Sequence, residues 1–203
     1  MSGKNKKEML ANLLSASYDN SSEARKIGEK YGYTLDANLS SPEAKVFVNR
    51  KGKPLISFRG STASSIPQFT RDWLQSDMAI ATGTEKSNAR FQRSKKLVED
   101  VDKKYGKSSM LIGHSLGGSL ARASAGKNNK VISYNPGVGL GGIRAKVKPN
   151  EVVLRSPFDV ISALAETQTG GKIIHTKNYS FNPLASHDIN RIRTQKSPWE
   201  YLS

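Results

Sequence analysis

Gly113-His114-Ser115-Leu116-Gly117 sits inside the stretch MLIGHSLGGSLARA, Met110 to Ala123, where an apolar run meets an alanine-rich one. Glycine weakens a strand or a helix alike, so Gly113, Gly117 and Gly118 need a local reason. A nucleophilic serine supplies one. Held on a sharp strand-to-helix turn, its hydroxyl stands proud of the fold, where an ester carbonyl reaches it, at the cost of a strained backbone at the serine. The residues two before and two after it crowd each other across that turn and must be tiny. The amide of Leu116 then points to the same spot as the helix N-terminus, which supplies an oxyanion donor and a favourable dipole. The five-residue pattern by itself also fits a tight structural turn in a nucleotide-binding or plain α/β fold. The apolar run before it and the helix after it are the context a nucleophile elbow requires.

A serine hydroxyl attacks only when a base takes its proton. The chain has three histidines: His114, His175 and His187. His114 adjoins the serine, its side chain should leave the elbow in another direction, and it reads as packing. His175 lies in an apparent strand, KIIHTKNY. His187 follows the last strand in NPLASHDINRI, a late loop of the kind from which the base comes when the chain order is serine, acid, histidine. His187 is therefore preferred, with His175 as the alternative. Between Ser115 and His187 the acids are Glu151, Asp159 and Glu166. Glu151 begins a strand, at the wrong end. Glu166 falls on a helix surface. Asp159 comes just past VVLRSPF, where catalytic loops gather beyond strand ends, and is the choice; Asp188 reads as a local cap.

These residues need a scaffold. Helical patterns run over Glu8–Tyr18 and Glu23–Lys30, the second with Ser21 and Ser22 as capping candidates. Strands are expected at Ala44–Asn49 and Pro54–Phe58 around the turn Arg50-Lys51-Gly52-Lys53. Asp72–Ile80 is helix-like. Ala89–Tyr105 is a long charged helix with Phe91, Leu97, Val98 and Val101 as apolar positions, ended by Gly106. Then follow a strand at Ser109–Gly113, a helix at Leu116–Ala125, strands at Lys130–Tyr134 and Glu151–Leu154, a helical pattern at Asp159–Glu166 and one or two strands within Lys172–Phe181. Strands alternating with helices specify an α/β domain with a mostly parallel central sheet.

Composition agrees. The 203 residues, 36% hydrophobic and 24% charged, suit a single domain with a sizeable core. There is no cysteine, which excludes disulfides, thiolate metal sites and thiol nucleophiles. No apolar run is long enough to span a bilayer. The segment Met9–Tyr18, broken by Asn12 and serines, is a poor signal-peptide core. An intracellular or virion-associated protein is expected rather than a secreted one. The net charge of +15 favours an anionic surface as partner. No aromatic-interleaved motif, zinc finger or helix-turn-helix accompanies it, so no specific nucleic acid is predicted.

With Ser115, Asp159 and His187 placed, the chain resembles the class 3 lipases, the α/β-hydrolase branch typified by fungal triacylglycerol lipases. AKVFVNRKGKPLISFRGS resembles that family's strand pair ending in F-R-G-[TS]. RDWLQSD resembles its D-W-x-x-D stretch, MLIGHSLGGSLA its elbow, VISYNPGVG the strand with T-F-G-x-P-x-V-G, VLRSPFDVIS the strand carrying the acid, and SHDINRI the place of the base. The resemblance implies a second oxyanion donor at Ser61, through its amide and hydroxyl, beside the Leu116 amide. It also implies a lid over residues 61–76, with Ile66, Phe69, Trp73 and Leu74 as an apolar face that otherwise packs into the core. KSNARFQRS lacks the family's H-x-G-F, and Ile161 replaces a common proline. The intervals from Ser115 to Asp159 and on to His187 are short, which implies trimmed loops. Residues 1–40 have no clear counterpart and read as a helical extension packed on one α/β-hydrolase domain spanning 1–203. The expectation is a serine hydrolase of lipid carboxylic esters at a membrane interface, with phospholipase A1-like activity on anionic membranes and neither metal nor organic cofactor. The alternatives are a catalytically inactive lipase-fold module that binds membranes or polyanions, or another serine acyl hydrolase such as an acyltransferase or thioesterase.

Overall fold

The computed structural model describes residues 3–60, 85–137, 146–156 and 172–175. Ser61, Asp159, Glu166, His187 and Asp188, the 61–76 lid, and the helical patterns at Asp72–Ile80 and Asp159–Glu166 lie outside the described residues.

The chain opens with α1 (Gly3–Ser15), a single 3-10 turn (Ala16–Tyr18) and α2 (Ser21–Lys30). Strands β1 (Tyr33–Leu35), β2 (Ala44–Asn49) and β3 (Pro54–Phe58) follow. Then come α3 (Glu85–Tyr105), β4 (Met110–His114), α4 (Leu116–Ser124), β5 (Lys130–Tyr134), β6 (Glu151–Arg155) and β7 (Lys172–His175). All seven strands form one sheet in chain order. β1, β2 and β3 are antiparallel neighbours, and every junction from β3 to β7 is parallel.

Local chemistry explains the boundaries. Asn20 caps α2, its side chain accepting from the Glu23 amide at 3.0 Å; the cap is therefore Asn20 and not Ser21 or Ser22, which have become the first helical residues. Asn49 shapes the β2–β3 turn by accepting from the amides of Lys51 and Lys53. Gly52 takes φ 70° in that turn, and Gly106 takes φ 59° where α3 ends; L side chains rarely adopt such angles.

Alternation along each strand divides the core into two layers. Ile56, Leu111 and Val131 face one side, against Val98 and Val101 of α3 and Leu120 and Ala121 of α4. Leu55, Ile112, Ile132, Tyr134 and Leu154 face the other, against Leu10, Leu13, Leu14 and Ala16. Parallel strands in chain order with right-handed crossovers send their connecting helices to the same face. α3 and α4 obey this. The opposite face is covered by α1 and α2, and β1 extends the sheet at its antiparallel edge. Residues 3–30 thus form a helical layer packed on the sheet. Ser57, buried on β3, donates its hydroxyl to the Leu14 carbonyl at 3.2 Å and ties that layer to the sheet.

Leu14 is fully buried in this layer. Leu14→Ala is expected to lower unfolding free energy by about 2–5 kcal/mol in urea titration. A loss below about 1 kcal/mol would mean that α1 packs only loosely on the sheet.

Candidate active site

Ser115 is the single residue between β4 and α4, with φ 55° and ψ −129°. This left-handed backbone is costly for a residue with a Cβ and persists only where its surroundings enforce it. Those surroundings are explicit. The Ser115 amide donates to the Tyr134 carbonyl at 3.1 Å. Its carbonyl accepts from Gly118 at 2.9 Å, Ser119 at 3.2 Å and Gly137 at 3.2 Å. A Cβ on Gly113 would lie 2.1 Å from the Gly117 carbonyl oxygen, so the expected crowding across the turn is present. A Cβ on Gly117 would instead meet the Phe58 carbonyl oxygen at 2.2 Å. The nearest obstacle to a side chain at Gly117 is thus β3, which passes under the elbow. Leu116 is the first residue of α4, so its amide is not consumed by the helix ladder.

One expectation is corrected. The Ser115 side chain does not stand proud of the fold: the residue is only 3% exposed. Gly60 lies directly against it, at a separation where a Cβ on Gly60 would be 3.1 Å from the Ser115 Cβ.

The exit of β3, which leads to position 61, is held from three directions. The Arg59 amide donates to the Glu43 carbonyl at 2.9 Å, beside β2. The Arg90 guanidinium on α3 donates to the Arg59 carbonyl at 2.5 Å. The Gly60 amide donates to the Tyr18 hydroxyl at 3.0 Å. Arg93 binds the Glu43 carboxylate at 2.8 and 3.2 Å, and this pairing pulls the carboxyl below its ordinary range. Tyr18 also lies 2.9 Å from Nδ1 of His114. Burial pushes its phenol up to about 12, against the opposing pull of the Gly60 amide and the Arg59 and Arg90 charges. His114 does pack, 3% exposed between the Tyr18 and Tyr134 rings, but it also carries this hydrogen bond.

Beyond β5 the chain turns at Asn135, which has φ 42° and is fully buried. Its carboxamide oxygen accepts from the Ser156 amide at 2.7 Å, and its nitrogen donates to the Ser156 hydroxyl at 3.2 Å. This clamp joins the carboxyl ends of β5 and β6, three residues short of Asp159. Tyr18, Asn135 and Ser156 were not singled out from sequence. Asn135 left a signal, since asparagine tolerates the left-handed region; nothing local marked the other two.

Two alternatives fall on described residues. Glu151 is 2% exposed at the amino end of β6, paired with Arg122 at 3.3 Å and far from the elbow end of the sheet. His175 ends β7, in register with Arg155. With β5 and β6 between β7 and β4, it stands roughly 14 Å from the Ser115 strand at ordinary strand spacing, beyond an imidazole's reach. Among the described residues, no three His, Asp or Glu side chains gather as a metal site, and no helix is long and apolar enough to cross a membrane.

Gly117→Ala should destabilise the protein by at least about 3 kcal/mol, measured by denaturant unfolding, because β3 backbone cannot yield to the added methyl. The Tyr18 phenol gives a pH test. Its folded pKa lies above the unfolded value near 10, so its contribution is complete below pH 10 and is lost as pH rises from about 10 to 12. Stability–pH curves of Tyr18→Phe should lack roughly 2–3 kcal/mol of the wild-type alkaline loss.

No protein-family model and no curated protein sequence matches the chain. Solved structures do. Lip2 lipase from Yarrowia lipolytica superposes with a TM-score of 0.55 at 13% identity, over 90% of this chain and 82% of that one. Rhizomucor miehei lipase, as its propeptide complex, gives 0.53 at 14% identity over 86% of this chain and 68% of that one. The R. miehei triacylglyceride lipase structure gives 0.51 at 14% identity, over 86% and 80%. At such identities the likeness is one of architecture: the chain has an α/β-hydrolase fold, with a mixed sheet flanked by helices.

Proposed function

We propose that the protein is a serine hydrolase acting on carboxylic esters of lipids. The observation that carries this reading is Ser115 itself, a left-handed serine wedged between a buried parallel strand and a helix N-terminus in a lipase-like fold. In the proposed reaction the Ser115 hydroxyl attacks the ester carbonyl while His187 takes its proton. Asp159 orients the imidazole and stabilises its cation. The amides of Ser61 and Leu116 bind the tetrahedral oxyanion, each donor being worth roughly 10²- to 10³-fold in rate. His187 then protonates the leaving alcohol, and water, deprotonated by the same imidazole, releases the fatty acid. The clamp at Asn135 and Ser156 supports Asp159, because it anchors the chain just ahead of it. The distance of His175 supports His187. The burial of Ser115 supports a cover that opens for substrate, and the 61–76 segment is the proposed lid. The finer reading is phospholipase A1-like activity on anionic membranes.

A specific arrangement favours a second reading, a lipase fold that binds polyanions without turnover. Exposed lysines stand at or just before the amino end of each parallel strand: Lys53, Lys107, Lys130, Lys148 and Lys172. They line the edge of the sheet opposite Ser115, where Lys53, Lys107 and Lys130 surround one hollow.

A fluorophosphonate probe separates the two readings. Labelling of wild type and its loss in Ser115→Ala is the expected result; an unlabelled wild type favours the binding module. On phospholipid vesicles, hydrolysis should rise with anionic lipid and fade with added salt. Indifference to both removes the anionic-membrane part and leaves the esterase.

A further inference from the structure

The geometry points to Tyr18 as a positioning residue that couples the nucleophile elbow to the strand exit leading to Ser61, a role that rests on the hydrolase reading above. Its hydroxyl lies 3.0 Å from the Gly60 amide nitrogen and 2.9 Å from Nδ1 of His114. The amide can only donate, so the phenol oxygen accepts there. When the phenol directs its proton to Nδ1, that nitrogen is the acceptor and the ring proton sits on Nε2. His114 immediately precedes Ser115, and Gly60 immediately precedes Ser61. A single hydroxyl thus bridges the two backbone segments that carry the nucleophile and the proposed second oxyanion donor.

The two segments have almost no slack. A Cβ on Gly60 would lie 2.5 Å from the Tyr18 hydroxyl, 2.6 Å from the His114 carbonyl oxygen and 3.1 Å from the Ser115 Cβ. Without the hydroxyl, the buried Gly60 amide loses its acceptor, which favours rotation of the peptide against the hold of Arg90 on its carbonyl. That rotation would turn the next peptide, whose amide belongs to Ser61. Acyl-transfer sites tolerate about 0.5 Å of such movement, and a misplacement near 1 Å costs on the order of 100-fold in rate. The ring itself packs on His114 and lies under the Arg59 guanidinium, and phenylalanine preserves that packing. The hydroxyl is what the site uses. The residue comes from the N-terminal layer, which gives that layer a part in the chemistry beside its part in the core.

The test is Tyr18→Phe in the full chain, assayed on a soluble p-nitrophenyl butyrate ester. Expected are a fall in kcat of roughly 10- to 100-fold with KM within about twofold, and a matching loss of affinity for a trifluoromethyl ketone, whose serine adduct bears the oxyanion. With kcat taken per site titrated by the fluorophosphonate, a merely structural role would lower the number of titrated sites and leave both kcat per site and ketone affinity at wild-type values. Wild-type kcat and ketone affinity in the variant would overturn the proposal. If Tyr18→Phe does not fold, His114→Gln and His114→Leu replace it. The glutamine retains an acceptor for the phenol proton and should exceed the leucine variant in kcat by about fivefold or more; equal values would overturn the proposal. A wild type that hydrolyses no ester and takes no fluorophosphonate sinks the hydrolase reading and this one with it. An active wild type indifferent to Tyr18→Phe sinks this one alone.

Discussion

A parallel sheet laid down in chain order has a one-sided architecture. Each right-handed crossover returns on the same face, so α3 and α4 lie together and leave the other apolar face without cover. Both faces of a parallel sheet have to be buried. The covering layer here is α1 and α2, whose Leu10, Leu13 and Leu14 lie against Leu55, Ile112 and Leu154. The remaining features of the domain follow from that placement. Because α1 crosses β3 and β4, the turn that ends it arrives beside the elbow, and its last residue, Tyr18, reaches the groups flanking Ser115.

The strain at Ser115 is held by contacts on every side. β5 takes its amide, α4 and Gly137 share its carbonyl, β3 passes under Gly117, and Gly60 leans on its Cβ. The same economy appears at the exit of β3, where Arg59 and Gly60 are gripped by β2, α3 and the N-terminal layer at consecutive peptide groups. Backbone held in this way is pre-organised: for the proposed hydrolase, the cost of orienting its dipoles is met during folding.

Much of this was legible in residue order. β2, β3 and β5 fall on the residues that alternation and apolar runs mark, and Gly52 and Gly106 mark where their elements turn or stop. The strand-to-helix turn at Ser115 was legible because three glycines within six positions weaken strand and helix alike, whereas the use of Gly117, the passage of β3, was not. The strand β1 was missed: Tyr33–Leu35 is three residues long, too short for a period, and it is a strand only because Phe47, Val48 and Asn49 offer it an edge. The Asn20 cap was displaced by one residue because serine and asparagine cap about equally well. The burial of Ser115 and the reach of Tyr18 were illegible for another reason. Both depend on segments far apart in sequence coming together, and no local pattern records that. His114 shows how a local reading falls short, since packing was correct for its ring and silent about its nitrogen.

The bond from Tyr18 to His114 spans 96 positions of the chain, and the one to Gly60 spans 42. On the ribosome, α1 and α2 emerge well before the strands they must cover. Until β4 and β5 have been made, Leu10, Leu13 and Leu14 have no sheet to lie against. Long-range closures of this kind are slow, and an exposed leucine face during synthesis invites association with other nascent chains. The order in which the polypeptide is built therefore runs against the order in which its layers can close: α1 is made before the strands that its leucines lie against.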